Sequence, residues 1–266
     1  MLSLIPHWLF LVNNLSIVID LIIIIAVFRA SRNIKSGHSK TAFWSFTIFN
    51  AIWLLLTTVL AKQGVFEPNE TTLNPLVVVL FSGLLGSYFL FTKRKVFKML
   101  LSAIPVSWLV IIQFFRVLGG VFLILYSQKL MPAEFAIPAG TGDVFIGVTS
   151  LFAAWALHNK KTWAPIITRW WCYLGILDLI IAITMGTLTI PSTYNHLLNL
   201  PFEPTNFLIG KYPLVMIPIF RVPFAITLHL LVLRKLNKEK IYASRAYRTS
   251  AGKNNTLITA DAEISK

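Results

Sequence analysis

Five charged residues stand inside otherwise apolar runs: Asp20, Arg116, Asp143, Asp178 and Arg221. Each would cost about 2.5 to 3.5 kcal/mol at the centre of an isolated helix in lipid, so each is expected to face a bundle interior and meet an opposite charge. A buried arginine binds carboxylates or anionic solutes through its planar fork of donors. A buried aspartate binds an arginine, a proton, a metal ion or an ammonium group. Gln113 and Arg116 are three residues apart and share a helical face. Asp143 and Gly147 are four apart, which puts the acid beside a position where a neighbouring helix can approach. Pro213, Pro218 and Pro223 flank Arg221 at intervals of five and must weaken the local hydrogen-bond ladder. Broken helices beside buried charges are where transporters place their binding sites.

The two arginines can pair with two of the three aspartates, which leaves one acid to hold a proton or meet a cation from outside. Asp20 is the expected odd one, because no basic residue stands near it in sequence. Of His7, His38, His158, His196 and His229, only His229 falls clearly inside an apolar run. It is a second proton-linked candidate, or the cap of a hydrogen-bond network. The candidate binding site or charge network is therefore Gln113, Arg116, Asp143, Asp178 and Arg221, with Asp20 and His229 as proton-linked residues.

The elements that must position these groups follow from composition. With 56% hydrophobic and only 13% charged residues, and a mean hydropathy of +0.72, the chain belongs to the membrane class. Runs of about 20 apolar residues span the hydrocarbon. Seven occur, near Trp8 to Phe28, Ala42 to Ala61, Asn74 to Phe91, Ala103 to Tyr126, Ala139 to Leu157, Trp170 to Ile190, and Tyr212 to Leu233. Backbone groups unsatisfied in lipid exclude open strands, and no alternating barrel pattern is present. At about 1.5 Å per residue the five charges fall in one layer near the midplane.

Arg29, Arg32, Lys35 and Lys40 follow the first run, Lys93, Arg94, Lys95 and Lys98 the third, Lys160, Lys161 and Arg169 the fifth, and a basic tail the seventh. The alternate loops hold only Lys62, Lys129 and Lys211, with Glu67, Glu70, Glu134 and Glu203. This alternation places the N-terminus outside and the C-terminus in the cytoplasm. The expected fold is thus an all-α polytopic membrane bundle of seven transmembrane helices over residues 1–236. A basic, then polar and disordered, tail follows over 237–266. The start of the chain lacks a basic segment and a cleavage site, so the first run is expected to be retained. The formal charge of +14 sits between apolar runs, which favours anionic lipid headgroups at the cytoplasmic face over nucleic acid. The chain implies no cofactor and no metal, and it sets no oligomeric state.

Other chemistry competes for the same residues. Gly140-Thr141-Gly142-Asp143 fits the GxGD pattern of intramembrane aspartyl proteases, with Asp178 as the second acid. Against this, the GxGD acid would come first in chain order, no Pro-Ala-Leu motif follows, and two arginines nearby would spoil a shared proton. A retinal pigment fails because the last apolar run carries no buried lysine, only Lys211 at its mouth. Paired haem histidines are missing as well. Cys172, the single cysteine, reads as packing. Asn69-Glu70-Thr71 is a glycosylation triplet that carries little weight. Ser82, Gly83, Gly86 and Ser87 read as a small-residue helix contact, and the matching Ile19–Ile23 and Leu177–Ile181 stretches hint at an inverted repeat.

Gln113-Phe114-Phe115-Arg116, Met131-Pro132-Ala133-Glu134-Phe135 leading into Pro138–Asp143, Leu174–Leu179, and Ile217–Pro223 with His229 together resemble a set found in uncharacterised bacterial multi-pass membrane proteins. The resemblance covers roughly the second half of the chain. It implies a bacterial inner-membrane location and no activity. The reading that best joins these features is a transporter or binder of a small polar or anionic solute, coupled to protons. The alternative is a non-catalytic structural or sensory protein whose charges only fix helix packing, and an enzyme is the less favoured class.

Overall fold

The computed structural model describes residues 6–34, 37–68, 74–191, 202 and 204–238. The Asn69 triplet, the start of the chain, most of the Pro191–Lys211 loop and the tail beyond residue 238 lie outside the described residues. Among the described residues all regular structure is helical. Helices α1 (Leu9–Ser31), α2 (Ser39–Lys62), α3 (Leu76–Lys93), α5 (Val106–Ser127), α6 (Ala133–His158), α7 (Ala164–Thr189) and α8 (Ile217–Lys238) are each long and apolar enough to cross a membrane. Helices of this length and composition suggest a membrane-embedded chain. Large apolar side chains such as Leu55, Val78, Leu85 and Trp170 point outward, as a lipid-facing surface requires.

The eighth helix, α4 (Lys95–Ala103), is short, and it occupies a stretch that the sequence reading treats as a basic loop. Phe97, Leu100 and Leu101 are buried beneath it while Lys95 and Lys98 stay exposed. Its apolar face packs on α1, α2 and α3, with Phe97 edge-on to Phe91 at 5.1 Å. The ammonium of Lys235 on α8 donates to the carbonyls of Leu101 (2.8 Å) and Ile104. It thereby satisfies the open end of α4. The longest spans also differ from expectation: α6 runs to 26 residues, whereas regular helix in α8 starts several residues after Tyr212.

Helix α8 is the central element. Its most apolar window is 72% buried against 11% for that of α2, so side chains on any of its faces meet protein. Helix α6 packs along both α5 and α7, and α3 and α2 pack on the first turn of α8.

Two apolar clusters fill the bundle, one toward each end. The first holds Ile23, Phe115, Ile146, Leu179 and Val222, and the second holds Leu9, Val121, Ala139, Ile190 and Phe220. In α1, α5, α6 and α8 the boundary between them falls at Asp20, Arg116, Asp143 and Arg221. In α7 it falls just beyond Asp178. The charges are thus the seam between two cores.

Within the spans two stretches depart from α geometry, and each carries one of the arginines. Residues Ile112–Gly120 of α5 form a 3₁₀ helix, in which side chains three apart eclipse one another. Gln113, Arg116 and Gly119 therefore stand in one row, and all three are buried. Residues Ile217–Arg221 open α8 as a π turn in which the Val222 amide bonds to the Ile217 carbonyl. Pro223 has no N–H to return to the α ladder there, which accounts for the wide turn at the position where the prolines predict a weakened ladder.

Candidate functional site

The 3₁₀ row delivers Arg116 to the junction of α5, α6, α7 and α8. Its Nε donates to Asp143 Oδ1 at 2.7 Å, its Nη2 donates to Asp178 Oδ2, and its Nη1 donates to the Gly175 carbonyl at 3.3 Å. The Nε and Nη2 donors lie along one edge of the guanidinium, an edge that a single carboxylate can bridge. Here two carboxylates from neighbouring helices divide it. The second oxygen of each acid accepts no hydrogen bond from any described residue.

His229 Nε2 lies 3.3 Å from Arg116 Nη1. Arginine can only donate, so Nε2 accepts and the ring proton sits on Nδ1. The ring packs against Trp171 at 4.9 Å between centroids. Gln113, one step along the row, donates from Nε2 to the Ala225 carbonyl at 2.9 Å. His229 Nδ1 and Gln113 Oε1 are left as a buried donor and a buried acceptor with no partner among the described residues.

Arg221 forms a second, separate group. It holds Asp20 bidentately, Nη1 to Oδ1 at 2.7 Å and Nη2 to Oδ2 at 2.8 Å. It also donates to the Ser16 hydroxyl at 3.1 Å and the Ser16 carbonyl at 2.6 Å. The rings of Phe115 and Phe220 lie 5.6 and 5.1 Å from its guanidinium carbon, within cation–π range. Asp20, expected to be the acid without a partner, is therefore the most fully paired of the three. Its partner stands on the last helix, where no sequence proximity could show it. The surplus acid belongs to the Arg116 group, and the expected cluster of Arg116, Asp143, Asp178 and Arg221 is divided between two ion-pair groups.

Three glycines make the close packing of these charges possible. A methyl on Gly119 would collide with Asp143, one on Gly142 with Asp178, and one on Gly175 with His229. Gly147, expected to admit a neighbour beside the acid, packs against Val117 of α5. Gly119, Gly175 and Ser16 are site residues that the sequence reading missed. Their signal was available: Gly119 continues the spacing of Gln113 and Arg116, Gly175 precedes Asp178 by three, and Ser16 precedes Asp20 by four. Gly142→Ala is expected to lower stability by about 1 to 3 kcal/mol, the usual cost of overpacking, because Asp178 is tethered and cannot swing away. Gly86→Ala, where nothing lies within 4 Å of the added carbon, is the control, expected to be neutral or up to about 1 kcal/mol stabilising. Thermal unfolding of the two variants in detergent gives the comparison.

Two small cavities meet at Asp143. One, with about 30 Å³ open to the centres of water molecules, lies between the ion-pair groups and is walled by Ser16, Phe115, Arg116, Gly119, Asp143 and Arg221, among others. At about 10 to 15 Å³ per water, that is room for two or three water molecules. The other, about 40 Å³ by the same measure, is walled mostly by apolar side chains of α3, α5, α6, α7 and α8 together with Thr187, and among the described residues Asp143 is its one ionisable wall. Leu179, Ile217 and Val222 line both. Asp143 and Asp178 do converge, as a protease would need, but a guanidinium bonded to both occupies the place of a shared proton.

A family model described as Domain of unknown function (DUF8737) matches residues 76–237, more than half of the chain. That stretch carries the whole Arg116 group and Arg221 but not Asp20. No curated protein and no solved structure matches the chain.

Proposed function

Because the chain belongs to the DUF8737 family, whose function is unknown, we propose an activity from its own buried charges: it couples the movement of a small polar solute to a proton at the Arg116–Asp143–Asp178 group. The protein would sit in a bacterial inner membrane with the N-terminus outside and the C-terminus cytoplasmic. Lys93, Arg94, Lys95 and Lys98, all exposed, would then meet anionic headgroups at the cytoplasmic face.

The observation that carries this reading is one guanidinium shared by two carboxylates. With all three groups ionised the cluster holds one negative charge in excess, and an uncompensated charge in low dielectric is expensive. A proton or a cation must make up the difference. The non-α turns at both arginines supply places where the backbone can rearrange at low cost, since they lie outside the regular ladder. An anionic solute would fit less readily. Every nitrogen of both guanidiniums is engaged by a carboxylate, a carbonyl, a hydroxyl or an imidazole, so an anion would have to displace an aspartate.

Asp143→Asn is the direct test. It removes the surplus charge, leaves Arg116 paired with Asp178 and preserves the shape of the side chain. Purified full-length protein carrying it is expected to bind about one proton fewer per molecule when the pH is lowered from an alkaline start at which the parent cluster has given up its proton, with unchanged helix content. Equal proton binding by the variant and the parent would remove the basis of proton coupling at this group.

A second reading has an observation of its own. The bidentate Asp20–Arg221 pair joins the first and last helices directly, with no gap for a ligand, and so favours a clamp that fixes helix packing. If the Arg116 group is equally structural, Asp143→Asn would alter stability alone.

A further inference from the structure

We propose that the solute exchanged at Asp143 is a small primary amine with a short alkyl body, bound as its ammonium ion in competition with the proton. The inference rests on the proton-coupled reading above and names the substrate class of the same site.

Asp143 is a residue 7% exposed with one carboxylate oxygen committed to Arg116. The other oxygen, Oδ2, accepts no hydrogen bond from a described residue and lies against Gly119, and both Asp143 and Gly119 line the cavity between the two ion-pair groups. A carboxylate oxygen at a cavity wall, in a cluster with one negative charge in excess, is an acceptor for a single positive charge. The neighbouring cavity decides which kind. Leu80, Phe122, Ala182, Ile183 and Pro218 wall it, with Asp143 as its one ionisable group among the described residues and Thr187 as its one hydroxyl, which donates to the Ile183 carbonyl. One carboxylate and one hydroxyl make no oxygen cage for a bare metal ion, which takes several oxygen ligands. It does offer burial to a ligand that carries its charge at one end and hydrocarbon at the other. An alkylammonium sets its head on Asp143 and its body among these side chains.

The charge balance then fixes the coupling. At rest the cluster is neutral with one proton on its carboxylates. When an ammonium ion arrives, the carboxyl O–H bond breaks, the proton leaves to solution, and the ammonium N–H donates to the freed carboxylate. The cluster is neutral again, so proton and amine exchange one for one and are not held together.

The test uses purified full-length protein in detergent, in weakly buffered solution with a pH indicator. Methylammonium, ethylammonium and propylammonium chlorides are the probes, and sodium chloride and sodium butyrate the comparisons. Each amine is expected to release about one proton per molecule bound. Apparent affinity should rise about fourfold per added methylene until the cavity is full, and proton release should vanish in Asp143→Asn. Ala182→Leu, which narrows the apolar cavity, should flatten the chain-length dependence. Proton uptake with butyrate in place of release with amines would overturn the proposal in favour of an anionic solute. Release by sodium chloride as large as that by the amines would overturn it in favour of a simple cation. Silence toward every amine, with the Asp143→Asn difference in proton binding intact, would sink the amine while leaving proton coupling standing. Loss of that difference too would sink both.

Discussion

Arg116→Leu is expected to destabilise the bundle by about 3 to 5 kcal/mol, the cost of removing one partner from a buried ion pair. The loss exceeds that of an ordinary contact because one guanidinium serves four groups on three helices: Asp143, Asp178, the Gly175 carbonyl and His229 Nε2. Without it two carboxylates face each other across α6 and α7, and the imidazole and carbonyl lose a donor each. Leucine fills part of the volume but supplies none of these bonds. Adding Asp143→Asn and Asp178→Asn to Arg116→Leu removes both stranded charges. The triple variant is expected to recover a substantial part of the loss, with a coupling energy at the upper end of the usual range of about 0.5 to 3 kcal/mol for groups in contact. Chemical or thermal unfolding of the single, double and triple variants in one detergent measures it. An Arg116→Leu protein within about 1 kcal/mol of the parent would mean that the guanidinium is not holding α5 to α6, α7 and α8, and the charge seam would need another explanation.

Much of this arrangement was legible in the residues, and what was not has a physical cause. Seven helices long and apolar enough to cross a membrane, and the burial of Asp20, Arg116, Asp143 and Arg221 among them, follow from hydropathy and from the cost of charge in lipid. Partner choice does not. Asp20 and Arg221 meet across 201 positions of chain, and which helices are neighbours depends on side-chain packing that no local pattern encodes. Helix α4 escaped because its cations dominate the Lys93–Lys98 stretch. The buried trio Phe97, Leu100 and Leu101, at spacings of three and one, was the amphipathic helical signal in the same residues. The prolines around Arg221 marked a weakened ladder correctly. The 3₁₀ row under Arg116 had no comparable marker beyond the adjacent Gly119 and Gly120, because its geometry answers to the close approach of α6 as much as to its own residues.

The Asp20–Arg221 pair invites the opposite kind of substitution. Arg221→Met alone is expected to cost about 3 to 5 kcal/mol, since Asp20 would remain buried without a partner. The double variant Asp20→Leu/Arg221→Met should return to parental stability or exceed it by about 1 to 4 kcal/mol, as when other buried pairs are exchanged for well-packed apolar residues. The surroundings favour that outcome, for Phe115 and Phe220 already flank the guanidinium. The one polar group left behind on α1, the Ser16 hydroxyl, sits in a helix where it can turn back to its own backbone. The two ion-pair groups are thereby set apart by experiment. If the clamp reading holds for Asp20 and Arg221, the double variant should keep the proton binding assigned to Asp143 and Asp178 in the pH jump. If proton binding disappears in a double variant of full stability, the two arginine groups act as one site across the cavity between them, and Arg221 belongs to the coupling machinery after all.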